Sequence, residues 1–121
     1  MAKIFIVEDN LPIRKLFNTL LKKNHTVHEF EDGKSVLEAL DTSKPDCILL
    51  DILLPDINGT ELIEKIKKHK NGEGVPILAV TGFAKGGDEA KYLSSGFDGY
   101  LTKPVDTATF TASVEKYLLA S

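Results

Sequence analysis

Acidic residues close two of the short apolar runs in this chain. Glu8 and Asp9 follow Ile4-Phe5-Ile6-Val7, and Asp51 follows Cys47-Ile48-Leu49-Leu50. Thr81 comes directly after the run 75–80, and Lys103 directly after 98–102. If these runs are neighbouring strands of one sheet, three carboxylates, a hydroxyl and an ammonium share one rim. Such a rim is costly, because two like charges ~5 Å apart repel by about 3 kcal/mol at an effective dielectric of about 20. Three hard oxygen donors favour Mg²⁺, or Mn²⁺ in its place, and Mg²⁺ keeps several waters in an open site. The carboxylates, one divalent cation and Lys103 are together neutral, which leaves the site ready for a further anion. A phosphoryl group beside the cation and the lysine is the natural candidate. Asp51 ends the most apolar run and is the best nucleophile, since a carboxylate can attack phosphorus to form an acyl phosphate. Thr81 can donate a hydrogen bond to the phosphoryl oxygens. Lys103 can pair first with Asp51 and then with the phosphate. Phosphoryl transfer asks chiefly for positioning and charge neutralisation, and this set supplies both.

Each of these residues also has an ordinary structural explanation. An Asp after a strand is commonly a turn or capping residue. Glu8-Asp9 suits the start of a helix, where the dipole favours negative charge. Thr81 alone reads as structural, and Lys103 before Pro104 as a solvated surface lysine. The constellation is more specific than its parts, because every member falls at the end of a strand. Other polar residues carry less. His25, His28 and His69 are scattered without metal-ligand spacing. Cys47 sits in a buried run where a reactive thiol is unusual. Lys67, Lys68 and Lys70 complement a helix dipole.

The elements that must position this rim show in the apolar periodicity. Ile4–Val7 suits a strand buried on both faces of a parallel sheet, and 47–50, 75–80 and 98–102 read as further strands. Thr26–Phe30 is half polar and reads as an edge strand. Asn10 is a possible N-cap, Pro12 falls in the first turn, and Ile13, Leu16, Phe17, Leu20 and Leu21 recur at helical spacing. Asp32-Gly33 leads into a helix carrying Val36, Leu37 and Leu40. Asn58 can cap another with Leu62, Ile63 and Ile66 on its buried side. The Gly-rich loop 82–87 leads to a short helix over 88–95, which Gly96 is placed to end. A last helix begins near Asp106 or Thr107 and carries Phe110, Val114, Tyr117 and Leu118. Phe110 reads as core. Five strand–helix units with right-handed crossovers specify an α/β domain with helices on both sheet faces. In that class ligands bind beyond the carboxyl ends of the strands.

Composition narrows the partners. The chain has 121 residues, the length of one domain spanning 1–121 without an output module. Its formal charge of −3 argues against nucleic acid as the default partner. No apolar run approaches the ~18 residues of a membrane span. The first apolar run ends at Glu8 and cannot serve as a signal-peptide core. A single cysteine excludes an internal disulfide. A cytoplasmic protein is expected.

Taken together, several segments resemble the receiver domain of two-component response regulators, the CheY-like family, over essentially the whole chain. They are Ile6-Val7-Glu8-Asp9-Asn10, Leu49-Leu50-Asp51-Ile52-Leu53-Leu54-Pro55 with Asn58-Gly59, Val80-Thr81-Gly82-Phe83-Ala84, and Lys103-Pro104. The stretch Phe83-Ala84-Lys85-Gly86-Gly87-Asp88-Glu89 is similar to the stand-alone DivK-like branch. The resemblance implies a three-layer sandwich with five helices and strand order 2-1-3-4-5. It makes Asp51 the phosphoacceptor, with Asp9 and Asp51 binding Mg²⁺ directly, Glu8 through water, and the Leu53 carbonyl as a further ligand. Thr81 becomes the switch hydroxyl, Lys103 the phosphate-pairing lysine and Tyr100 the aromatic switch, and the Lys103-Pro104 bond is expected to be cis.

The resemblance also implies partners: a histidine kinase or histidine phosphotransfer protein as donor. A downstream protein would meet the surface of the helix over 88–95, the fifth strand and the last helix, including Phe83 and Tyr92. Neither nucleic acid nor a membrane is expected, and the chain would be a monomer or weak homodimer. Such a protein is no enzyme beyond its own phosphorylation and slow dephosphorylation. Gly82 departs from the more usual Ala, keeping phosphate access open but loosening the loop. Leu53 and Phe83 are bulky and apolar where they would flank the phosphoryl group, so neither can orient an attacking water. Three rivals remain: a metal-dependent phosphohydrolase, which would place a second acid at Leu53; a flavodoxin-like cofactor binder; and a receiver-like module that is never phosphorylated.

Overall fold

Alternation along the strands decides the architecture. In the computed structural model, which describes residues 2–52, 54–82, 94–103 and 105–120, the strands are β1 (Lys3–Val7), β2 (Thr26–Phe30), β3 (Cys47–Asp51), β4 (Ile77–Thr81) and β5 (Gly99–Thr102). All pair in parallel in the order β2-β1-β3-β4-β5, as expected. Phe5, Val7, Ile48, Leu50, Ile77 and Ala79 face one core, and Ile4, Ile6, Cys47, Leu49, Leu78 and Val80 face the other. The three central strands are thus apolar on both sides, which is why they read as unbroken apolar runs. β2, at one edge, is not fully buried at any position.

The helices that lie wholly within the described residues are α1 (Leu11–Leu21), α2 (Gly33–Leu40), α3 (Gly59–Lys68) and α4 (Phe110–Ala120). Val36 and Leu40 of α2 and Leu62, Ile63 and Ile66 of α3 cover one face. Phe17 and Leu21 of α1 and Phe110 and Val114 of α4 cover the other, where the Phe17 and Phe110 rings stack at 4.8 Å. Asn10, Asp32 and Asn58 cap their helices through side-chain oxygens. The helix expected over 88–95 falls largely outside the described residues, as do Leu53, Phe83, Tyr92 and Pro104.

Two boundaries and one burial differ from the periodicity. β4 begins at Ile77 rather than at 75, because Pro76 has no N–H and the Val75 N–H bonds instead to the Gly72 carbonyl at 3.3 Å. α4 begins at Phe110 rather than near Asp106. The Asp106 carboxylate accepts from Ala108 N at 2.9 Å, and the threonines at 107 and 109 are weak helix formers. Leu16, counted in the apolar stripe of α1, is 38% exposed beside a groove formed with Ile13, Phe17 and Val105.

Candidate functional site

Sheet register gathers the candidate residues. Val7 pairs with Leu50, so Glu8 comes level with Asp51 just past the end of β1. Asp51 pairs with Val80, and Thr81, closing β4, pairs with Thr102. The Lys103 N–H then donates to the Thr81 carbonyl at 2.9 Å, which carries the lysine onto the rim. The pleat puts Glu8, Asp51 and Lys103 on the side of the sheet covered by α1 and α4. Thr81 follows Ile77 and Ala79 on the opposite side, where Tyr100 is half-buried against the α2–α3 core.

Glu8, Asp51 and Thr81 are the buried polar residues among those described. One cleft of about 360 Å³ is lined by Glu8, Asp9, Asp51, Thr81, Gly82 and Lys103, with Asn10 and Ile13 at its side. One carboxylate oxygen from each of Glu8, Asp9 and Asp51 lies within 4.8 Å of the others. Lys103 Nζ lies 2.5 Å from Glu8 Oε1 and 3.5 Å from Asp51 Oδ2. Glu8 Oε2 accepts from Asn10 N at 3.3 Å, whereas Oε1, fully buried, meets the lysine in an ion pair without the angles of a hydrogen bond. Burial, and next the shared hydrogen bond with Asp51, raise the Glu8 carboxyl to a pKa of about 7, against the pull of Lys103.

This donor set fits a hard divalent cation. The oxygens converge, one of them lacks a donor with good geometry, and a single lysine offsets them only in part. His25, His28 and His69 take no part: His25 bonds to Ala2 N and Glu115, His28 packs edge-on against Phe5, and His69 pairs with Asp41. Burial pushes the Cys47 thiol up to about 12, consistent with an inert core residue.

The loop after Asp51 is held at several points that spacing alone does not reveal. Asp56 accepts from the N–H groups of Gly33 and Lys34, both at 3.0 Å, and so ties this loop to the start of α2. Gly59 N donates to the Ile52 carbonyl at 2.9 Å, and a Cβ at Gly59 would stand 2.8 Å from Ile52 Cα. Glycine is therefore what lets α3 begin against the end of β3. Among the described residues a Cβ at Gly82 would meet nothing within 4 Å. Arg14 and Glu29 lie behind the acidic pair and also went unnoticed in the sequence. The available signal was Glu29 itself, a carboxylate two residues after Val27 on the α1-facing side of a strand.

Comparison with known proteins agrees with this geometry. The response regulator receiver domain family model matches residues 4–115. The polar-differentiation response regulator DivK of Brucella ovis is 36% identical over 118 residues, covering 95% of this chain and 94% of that protein. The receiver domain of a sensor histidine kinase from Pseudomonas aeruginosa, solved with magnesium coordinated in its active-site cleft, superposes with a TM-score of 0.86 at 29% identity, covering 97% of each chain. The chemotaxis response regulator CheY4 of Vibrio cholerae shares the fold with a TM-score of 0.90 at 24% identity, covering 97% of this chain and 98% of that one. Among the described residues no helix is long and apolar enough to cross a membrane. The family match and the DivK similarity both run along nearly the whole chain, and this protein belongs to the response regulator receiver domain family.

Proposed function

We propose that Asp51 accepts a phosphoryl group from a phosphohistidine donor, a histidine kinase or histidine phosphotransfer protein, and that the chain signals through phosphorylation-dependent partner binding. The observation that carries this reading is the convergence of Glu8, Asp9 and Asp51 beside Lys103 at the carboxyl ends of the central strands. An Asp51 carboxylate oxygen attacks phosphorus, the donor's P–N bond breaks, and an acyl phosphate P–O bond forms. The leaving imidazole nitrogen takes a proton from solvent. Asp9 and Asp51 would hold Mg²⁺ directly and Glu8 through water, and the ion would supply charge neutralisation at the phosphoryl oxygens. The Leu53 carbonyl is the further ligand of this proposal and lies outside the described residues. Lys103, already 3.5 Å from Asp51, exchanges that partner for the phosphate.

Phosphorylation replaces one negative charge by roughly two and adds acceptor oxygens. Thr81 then donates to the phosphate, and Tyr100, on the same side of the sheet, turns into the space it leaves. The output surface is β5 with α4 and the segment 88–95. Dephosphorylation is slow, because Leu53 and Phe83 offer no group to orient water. Incubation with acetyl phosphate or a phosphohistidine donor, with and without Mg²⁺, tests the reading by intact mass. Wild type gains one phosphoryl group only with Mg²⁺, and Asp51→Asn gains none. Unlabelled wild type with every competent donor, or equal labelling of Asp51→Asn, overturns it.

A further inference from the structure

We propose that Arg14, held by Glu29, is a positioning residue for the acidic pair: its bond to the Glu8 backbone carbonyl sets where Glu8 and Asp9 stand relative to Asp51. The inference rests on the reading of Glu8, Asp9 and Asp51 as a cation site. Arg14 Nη1 donates to the Glu8 carbonyl at 2.7 Å, while Nε donates to Glu29 Oε1 at 3.1 Å. Both side chains are largely buried, at 12% and 16% exposure. Glu29 accepts further from Lys15 Nζ at 3.0 Å and from Asn18 Nδ2. Burial alone would raise the Glu29 pKa, yet Asn18, Lys15 and Arg14 hold it below its ordinary value. Glu29 is thus a fixed anion on β2 that fixes the guanidinium fork.

That fork acts on a decisive peptide unit. The Glu8 carbonyl belongs to the planar unit joining Glu8 to Asp9, so holding its oxygen orients both residues at once. The preceding unit is already held, because Glu8 N donates to the Phe30 carbonyl at 2.9 Å. Beyond Asp9, Asn10 N donates to Glu8 Oε2 and the Asn10 carbonyl accepts from Arg14 N at 2.9 Å. With the Glu8 carbonyl released, the acidic pair would pivot between these points against its own repulsion. A simple staple between α1 and β2 would need only the Arg14–Glu29 bond. The second nitrogen, aimed at the rim, is what a positioning role adds. Guanidinium geometry suits it, because a lysine cannot present two fixed donors to two acceptors.

The test measures Mn²⁺ binding by electron paramagnetic resonance of the free ion, alongside urea unfolding without metal. Arg14→Ala weakens Mn²⁺ binding about tenfold, the low end of the loss when a ligand's supporting partner is removed. His25→Ala is the control. It breaks the links of His25 to Ala2 and Glu115 at the amino end of the sheet, so it lowers stability and leaves Mn²⁺ affinity unchanged. If Arg14→Ala does not fold, Arg14→Lys carries the test, with an expected loss of several-fold. Wild-type binding matched within about twofold by the folded Arg14 variant, or an equal loss in His25→Ala, overturns the positioning role alone. A wild-type chain that binds no Mn²⁺ overturns the cation site and this inference with it.

Discussion

The two ends of the sheet treat their polar residues in opposite ways. At the amino end, carboxylates complete the backbone. Asp46 accepts from Lys3 N at 2.7 Å and returns its own N–H to the Lys3 carbonyl at 2.7 Å. Asp98 and Ile77 repeat this exchange at 2.8 and 2.9 Å. His25 Nδ1 accepts from Ala2 N, and Nε2 meets Glu115 at 2.8 Å. At the carboxyl end, Glu8 and Asp51 are buried side by side, and Lys103 reaches both without fully satisfying Glu8. One end is closed by internal hydrogen bonds and contributes stability. The other keeps negative charge gathered in an open cleft, at a cost in stability that, in the proposed function, a divalent cation would offset before a phosphoryl group arrives.

This contrast can be broken or sharpened by experiment. Lys103→Met removes the cation that separates Glu8 from Asp51. It should destabilise the metal-free protein by about 2 kcal/mol, less than for a fully buried pair because the lysine is partly exposed, and Mg²⁺ should restore most of the loss. Urea midpoints with and without Mg²⁺ check it; an unchanged metal-free midpoint would mean the rim is not under electrostatic load.

A second effect is expected from pH. The folded pKa of Glu8, about 7, lies above its ordinary value of 4.5. Between those values the folded state keeps a proton that the unfolded chain has lost. The Glu8 contribution to stability is therefore fully present below about pH 4.5 and is lost as pH rises through about 7. Mg²⁺ competes with that proton, so the midpoint shift it produces should be larger at about pH 8 than at about pH 5.5. Equal shifts at both would remove Glu8 from the cation's surroundings.

The smallest change is expected at the opposite end. Asp98→Ala should cost about 1 kcal/mol, the loss of an ordinary hydrogen bond, and leave the rate of phosphoryl uptake unaltered. A large fall in that rate would show that the two ends are not independent.

Much of this fold is written in local patterns. Ile4–Val7 and Cys47–Leu50 are continuously apolar because both faces of their strands are covered, and that pattern requires a sheet with helices on each side. Asn10, Asp32 and Asn58 announce helix starts because a short polar side chain satisfies free N–H groups there. The start of α4 lies later than periodicity indicates because Asp106 bonds locally before the helix begins. The exposure of Leu16 does not show in the periodicity, because an apolar stripe does not say how much of it a neighbouring helix will cover.

The strands, the helix caps and the carboxylates that end each strand follow from periodicity and local hydrogen bonding, and so are read from the amino-acid order alone. The folded chain adds that Glu8, not Asp51, sits nearer Lys103, that Asp56 ties its loop to α2, and that Arg14 reaches back to the Glu8 carbonyl. Those relations join residues distant in the chain or turned by a helix, and their geometry is set by sheet register and packing rather than by any local pattern.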